Sequence, residues 1–222
     1  VNGIECGYSL IRSFLSDRQL SDLQRDLADL KLASHSGGIR NANKKFRSIA
    51  KLAESDNVLN LAQSYLVQPP QLVRAILFDK TESNNWYVTW HQDKTVAVSS
   101  KFNRPGWGPW TVKDGVQHVQ PPFNVLEEMV TLRVHLDDAN VENGCLKVLP
   151  YSQRDGLLEP GEIKSYVARG DVVSCEAKAG DILVMRPHIL HSSSKAQLPE
   201  RRRIIHLEYT GFSLPRGVLW GL

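Results

Sequence analysis

Hydrophobic positions follow two different periods along this chain, and the change comes near residue 70. In the N-terminal third they recur every three or four residues. Ser16 with Gln19 forms a capping-box signature, and Leu20, Leu23, Leu27 and Leu30 then fall on one helical face. A second helical region covers about residues 43–66, with Phe46, Ile49, Ala50, Ala53, Leu59, Ala62 and Leu66 as core positions, and Pro69-Pro70 ends it. Between the two, Gly37-Gly38 marks a loop that presents Arg40.

From Leu72 onward the pattern shortens to β-type runs separated by Gly, Pro and Asp. It predicts strands near 72–78, 86–90, 95–99, 129–136, 145–149, 172–177, 181–185 and 202–209. Eight short strands without an intervening helical repeat favour a β-sandwich or jelly roll over a parallel α/β sheet. One long interruption, residues 100–128, is rich in Pro, Gly and Trp, and a loop of that length inside a domain is usually functional.

Composition narrows the class. With 222 residues, 41% hydrophobic and 23% charged, residues 1–222 read as one soluble domain with a full core. A net charge of +3 is far from the clustered basicity of a nucleic-acid binder, so no nucleic-acid partner is expected. No apolar run approaches the ~18 residues of a membrane span, and residues 1–15 lack the charged start and apolar run of a secretory signal. Cys6, Cys145 and Cys175 are odd in number and unclustered, which argues against a disulfide framework and for a reducing, cytoplasmic setting.

The candidate chemistry lies in three separated pieces. In a strand alternate side chains share a face, so His91 and Asp93 point one way and Gln92 the other, and one short segment offers two ligands to one ion. Alone the motif is weak. A third ligand comes from His188-Ile189-Leu190-His191, whose two histidines face opposite sides of a regular strand. Ser192, Ser193 and Ser194 leave room for a cosubstrate beside His191, whereas His188 precedes apolar residues and reads as a packing or surface residue. Two imidazoles and a carboxylate are the ligand set that holds non-haem Fe(II) on one face and leaves positions open. Arg201-Arg202-Arg203 opens the last strand, and alternation sends Arg202 to one face and its neighbours to the other. A guanidinium there suits a planar carboxylate, although spacing alone does not choose which arginine points inward.

Taken in order, Phe78-Asp79-Lys80, Trp90-His91-Gln92-Asp93, Asn143 to Pro150, Gly180-Asp181, His191 and the arginine cluster resemble the phytanoyl-CoA dioxygenase family of Fe(II)/2-oxoglutarate oxygenases. The resemblance covers nearly all of 72–210. It implies a double-stranded β-helix (jelly roll, cupin-like) at 71–210, with 1–70 as a helical support region. It also implies metal ligation by His91, Asp93 and His191, and a 2-oxoglutarate site at Arg202 with Ser193 beside it. Lys80 lies in a segment that often reaches the same cosubstrate, and Arg133 falls where a relative has a pocket-lining Trp. Arg133 shares a face with Thr131 and His135, which an outward polar face would explain equally well. In one departure, the family's Pro-Gly-Ser-His is Pro150-Tyr151-Ser152-Gln153 here.

The implied activity uses Fe(II), 2-oxoglutarate and O2 to hydroxylate or otherwise oxidise a small-molecule metabolite, with release of succinate and CO2. Related halogenases lack the carboxylate ligand, so Asp93 points to hydroxylation over chlorination. Arg40, Lys101, Trp107 and Trp110 are candidate substrate contacts, the last three as part of a lid. Their ordinary alternatives are an exposed loop charge and a loop clamped by its own tryptophans. The rival functions are a metal-binding cupin-like isomerase and a non-catalytic binding module, neither of which requires a cosubstrate arginine.

Overall fold

The helical layer and the largest sheet are built around one set of alternating positions. In the computed structural model, which describes residues 4–30, 37–198 and 200–221, the chain enters through β1 (Tyr8–Ile11) and α1 (Asp17–Asp26). Ser16 accepts from the Gln19 backbone N–H while the Gln19 side chain accepts from the Ser16 N–H, so the capping box forms as expected. After β2 (Ile39–Arg40), the anticipated helical region over about 43–66 consists of three short helices, α2 (Ala42–Lys45), α3 (Arg47–Ala53) and α4 (Asp56–Gln63). Phe46 breaks the first junction with extended backbone, and its ring packs on the core. Ser55, also extended, restarts the helix ahead of Asp56, whose charge suits the first turn.

β3 (Gln71–Lys80), β4 (Val88–His91) and β5 (Val96–Val98) follow. Residues 100–128 are not one loop: they hold β6 (Trp110–Lys113), β7 (Val116–Val119) and α5 (Phe123–Glu127). The β6–β7 turn is Asp114-Gly115, both with positive φ (49° and 77°), the two-residue geometry that matches strand twist. Next come β8 (Met129–His135), β9 (Leu146–Val148), α6 (Pro160–Ala168), β10 (Val173–Cys175), β11 (Ile182–Met185), β12 (His191–Ser193) and β13 (Arg202–Thr210).

The strands form a six-stranded antiparallel sheet in the order β1-β11-β8-β13-β3-β2, a four-stranded sheet β10-β9-β12-β4 and a small sheet β5-β7-β6. This is the jelly roll that the strand pattern predicts. On the large sheet, Leu77, Leu132, Val134, Ile182, Val184, Ile205, Leu207 and Tyr209 face the helices and pack with Leu23, Leu27, Ile49 and Leu52. The intervening residues of the same strands face the four-stranded sheet. Leu183 and Met185 meet Leu146, Val148 and Cys175 there. No helix among the described residues is long and apolar enough to cross a membrane.

The two outer arginines of the cluster are structural. Arg203 makes a two-pronged pair with Asp137 (2.8 Å each) and donates to the Gln24 carbonyl at 3.0 Å near the end of α1. Arg201 pairs with Asp79 and donates to the carbonyls of Leu27, Ala28 and Leu30. Truncating Arg203 strips the half-buried Asp137 of its ion pair and leaves it the backbone N–H of residue 203, so Arg203→Ala is expected to lower stability by about 3 kcal/mol. The measurement is a urea unfolding midpoint that falls while the slope with denaturant stays constant.

Candidate active site

The register of β4 against β12 sets His91 directly opposite His191. Their ring centroids lie 4.2 Å apart. Each Nδ1 is 2.8 Å from the carbonyl of the residue two positions earlier, Thr89 or Ile189. A carbonyl only accepts, so Nδ1 carries the proton in both rings and the Nε2 lone pairs face inward. Asp93 meets both, with Oδ1 3.8 Å from His91 Nε2 and Oδ2 3.6 Å from His191 Nε2. The three ligand atoms lie within 4.8 Å of one another, close enough to share a metal ion.

Local structure holds this arrangement. The Asp93 N–H donates to the Pro187 carbonyl at 3.0 Å, turning the chain as β4 ends. Gln92 points away, as alternation requires, and donates to the carbonyls of Gly156 (2.7 Å) and His188 (2.8 Å) while accepting from the Leu158 N–H. His188 is buried against Phe123, with centroids 5.1 Å apart, and takes no part in the cluster. Burial, with His91 nearby, pushes the His191 pKa down to about 3. Burial alone would raise the Asp93 carboxyl, but His191 and Arg74 outweigh it and hold that group well below the usual carboxylate range. A neutral imidazole and an ionised carboxylate are the forms that bind a metal.

These groups line a cavity of about 370 Å3 between the two main sheets. Arg202 enters it from β13, directly opposite Lys80 on β3, and Arg202 is only 5% exposed. Its Nη2 is 3.4 Å from Ser193 Oγ and its Nε has no hydrogen-bond partner. Lys80 lies behind, donating to the Ser194 carbonyl at 2.7 Å and lying 3.4 Å from Ser193 Oγ. Gly144, at φ 73°, lets its loop approach so closely that a Cβ would strike the Ser194 carbonyl, and its own carbonyl accepts from Ser193. No carboxylate pairs with Lys80, Arg133 or Arg202 among the described residues. Burial, with Arg202 alongside, lowers the Lys80 pKa to about 7, and burial, with Arg133 alongside, lowers Arg202 to about 10.

A family model described as phytanoyl-CoA dioxygenase matches residues 4–204. The chain belongs to the phytanoyl-CoA dioxygenase family. Membership makes it an enzyme of the Fe(II)/2-oxoglutarate-dependent oxygenase superfamily. Solved structures with the same fold include EctD from S. alaskensis in its apo form (TM-score 0.71, 20% identity, covering 93% of this chain and 73% of that one). Another is SnoN, a non-haem α-ketoglutarate-dependent epimerase from nogalamycin biosynthesis (0.64, 20%, 93% and 78%). A third is HygX from Streptomyces hygroscopicus with nickel, 2-oxoglutarate and hygromycin B bound (0.67, 16%, 93% and 83%). At these identities the likeness speaks for the fold. No match was found among curated protein sequences.

Within this family member, Arg133 points into the cavity, so the polar side of β8 faces inward and the outward alternative is set aside. Arg40 also lines the cavity. Lys101, Trp107 and Trp110 do not, which corrects the expected lid. Trp107 is buried in a separate apolar cluster with Phe102 (centroids 4.8 Å apart), Phe212 and Trp220, Trp110 stacks edge-on against Phe102, and Lys101 is exposed. Burying indole surface stabilises that clamp more than exposing it at the cavity mouth would. Gln153, at the family departure, donates to the Glu5 carbonyl and lies beside a different cleft.

Sequence reasoning missed Arg74, Lys113, His206 and Glu208. Arg74 forms a two-pronged pair with Glu208, and Glu208 Oε1 is 2.9 Å from His206 Nε2. His206 Nδ1 is 3.0 Å from Arg133 Nη1 and accepts from it, since the guanidinium only donates. His206 and Glu208 also approach Asp93, but both Glu208 oxygens are engaged by Arg74, so this second cluster reads as support for the first. The same alternation that turns Arg202 inward would have found His206 and Glu208.

Lys80 generates a pH prediction. Its folded pKa is about 7 against an ordinary value of 10.5, so between these the unfolded chain binds a proton that the folded chain does not. Stability attributable to Lys80 therefore rises with pH across that window. Urea unfolding at pH 7 to 10 is expected to show a shallower rise for Lys80→Met than for the wild type.

Proposed function

We propose that this protein is an Fe(II)- and 2-oxoglutarate-dependent dioxygenase that hydroxylates a small-molecule metabolite. Its reaction consumes one O2 and one 2-oxoglutarate and yields the hydroxylated product, succinate and CO2. His91, Asp93 and His191 are the metal ligands. Arg202 and Ser193 receive the distal carboxylate of 2-oxoglutarate, with Lys80 adding positive charge from behind and Arg133 bordering the same space. The observation that carries this reading is the Arg202 guanidinium. It is buried in the cavity of the histidine-carboxylate cluster, with Nε unpartnered and no carboxylate among the described residues to compensate it. A buried cation without a counter-ion is costly, and a dicarboxylate cosubstrate removes that cost. A cupin-like isomerase or binding module that takes no 2-oxoglutarate does not require such a group.

The iron, when bound, supplies O2 activation with 2-oxoglutarate as the source of two electrons. The chain's own residues orient and exclude. The carbonyls of Thr89 and Ile189 fix both imidazoles by accepting their Nδ1 protons. The Arg74–Glu208–His206–Arg133 chain holds Arg133 in place at the cavity wall, and Phe78 packs edge-on to His206 at 5.7 Å. Ile76, Val88 and Leu146 supply an apolar wall that limits water near the metal ligands. Free Cys6, Cys145 and Cys175 support a reducing, cytoplasmic setting.

Anaerobic addition of Fe(II) and 2-oxoglutarate is expected to give a visible charge-transfer band in the wild type and none in His191→Ala. Arg202→Ala should weaken 2-oxoglutarate binding by about thirtyfold or more, the scale for truncating a buried charged partner. Arg201→Ala, whose guanidinium faces Asp79 and the end of α1, should leave that affinity nearly unchanged. A well-folded, iron-loaded wild type that shows no band overturns the reading.

A further inference from the structure

The cavity has a second cationic region that the proposed cosubstrate does not use. Inward side chains on β3 run Arg74, Ile76, Phe78 and Lys80, so the ends of this row lie about 20 Å apart along the strand. Lys80 and Arg202 mark one end. Toward the other, Arg40 on β2 stands opposite Ile76, and Lys113, the last residue of β6, lines the same cavity.

The cations at this end are not equally satisfied. Glu208 neutralises Arg74. Among the described residues Arg40 pairs only with Asp114, in one contact of 3.4 Å between side chains 43% and 50% exposed. Such a pair contributes little in water and is easily displaced. The half-buried Lys113 ammonium makes no hydrogen bond or ion pair among the described residues. Its burial, with Arg74 and Arg40 nearby, pulls its pKa below the ordinary lysine value, so an anion beside it would relieve a standing repulsion.

We propose that Lys113 and Arg40 bind an oxyanion of the substrate, a carboxylate or a phosphate, and that the molecule oxidised is a small anion with an apolar body against Ile76 and Phe78. This rests on the Fe(II)/2-oxoglutarate reading, because it assigns the Arg202 end to another molecule. A volume of about 370 Å3, shared with a cosubstrate, is at the small end for ligand sites. The β6–β7 hairpin is then a specificity element: its tip carries Lys113 to the cavity, and Asp114 competes with the substrate for Arg40.

The test is calorimetric titration of protein saturated anaerobically with Fe(II) and 2-oxoglutarate, using propionate, inorganic phosphate and the neutral analogue propionamide. At least one anion is expected to bind with one-to-one stoichiometry, and propionamide to give no heat. Stronger binding of propionate assigns a carboxylate substrate, and stronger binding of phosphate a phosphate ester. Lys113→Met and Arg40→Gln should each weaken the preferred anion by about tenfold, the scale of one charge-assisted hydrogen bond. Asp114→Asn should strengthen it, an effect that damage to the fold would not produce. Equal anion binding in the wild type and Lys113→Met, or no anion binding by the wild type, overturns the proposal. The charge-transfer band is read on every sample. Its absence from the wild type counts against the cosubstrate site, whereas the Lys113 dependence of anion binding decides the subsite separately.

Discussion

The site depends on the register of β13 between β3 and β8. All nine residues of β13 are buried, and they divide strictly by face. Ile205, Leu207 and Tyr209 pack on the helices, with the Tyr209 hydroxyl donating to the Ala53 carbonyl at 2.7 Å. Arg202 and His206 face the cavity from the same strand. A slip of one residue would exchange the two sets, burying arginine against leucine and valine. Packing against the helical layer therefore aims the cavity groups. Arg203 adds to this by tying the start of β13 to Asp137 and to the end of α1.

Charge inside the jelly roll is deliberately unbalanced. Among the described residues Arg74, Arg133 and Arg202, with Lys80 behind, face only Asp93 and Glu208. The fold satisfies part of this itself: Glu208 takes Arg74, and His206 passes the polarity on to Arg133. Among the described residues, positive charge without a carboxylate partner remains at Arg202, Arg133 and Lys80, and again at Lys113. Such deficits cost stability in the free protein and are offset when an anion binds, which is why they mark sites.

Some of what the sequence hid was legible in principle. Lys113-Asp114-Gly115-Val116 carries the two-residue turn that signals a hairpin, but it sits inside a Pro-, Gly- and Trp-rich stretch that reads as one loop. The polar residues Thr131, Arg133 and His135 were ambiguous for a different reason. Alternation places them together on β8 but does not say which face meets water, and only the partner sheet answers that. The breaks at Phe46 and Ser55 follow from packing a short helical layer onto a twisted sheet, which helix periodicity does not encode.

By itself, the sequence determined the strand-rich architecture, the pairing of His91 with Asp93 on one face and the separation of Arg202 from its two neighbours. These are consequences of local periodicity, which a single strand carries with it. Tertiary structure alone decided that Arg202 is the inward arginine, that the tryptophans of 100–128 clamp one another away from the cavity, and that Arg74, His206 and Glu208 support the site. Those outcomes turn on which sheet covers which face, through contacts between residues more than a hundred positions apart such as Arg74 and Glu208.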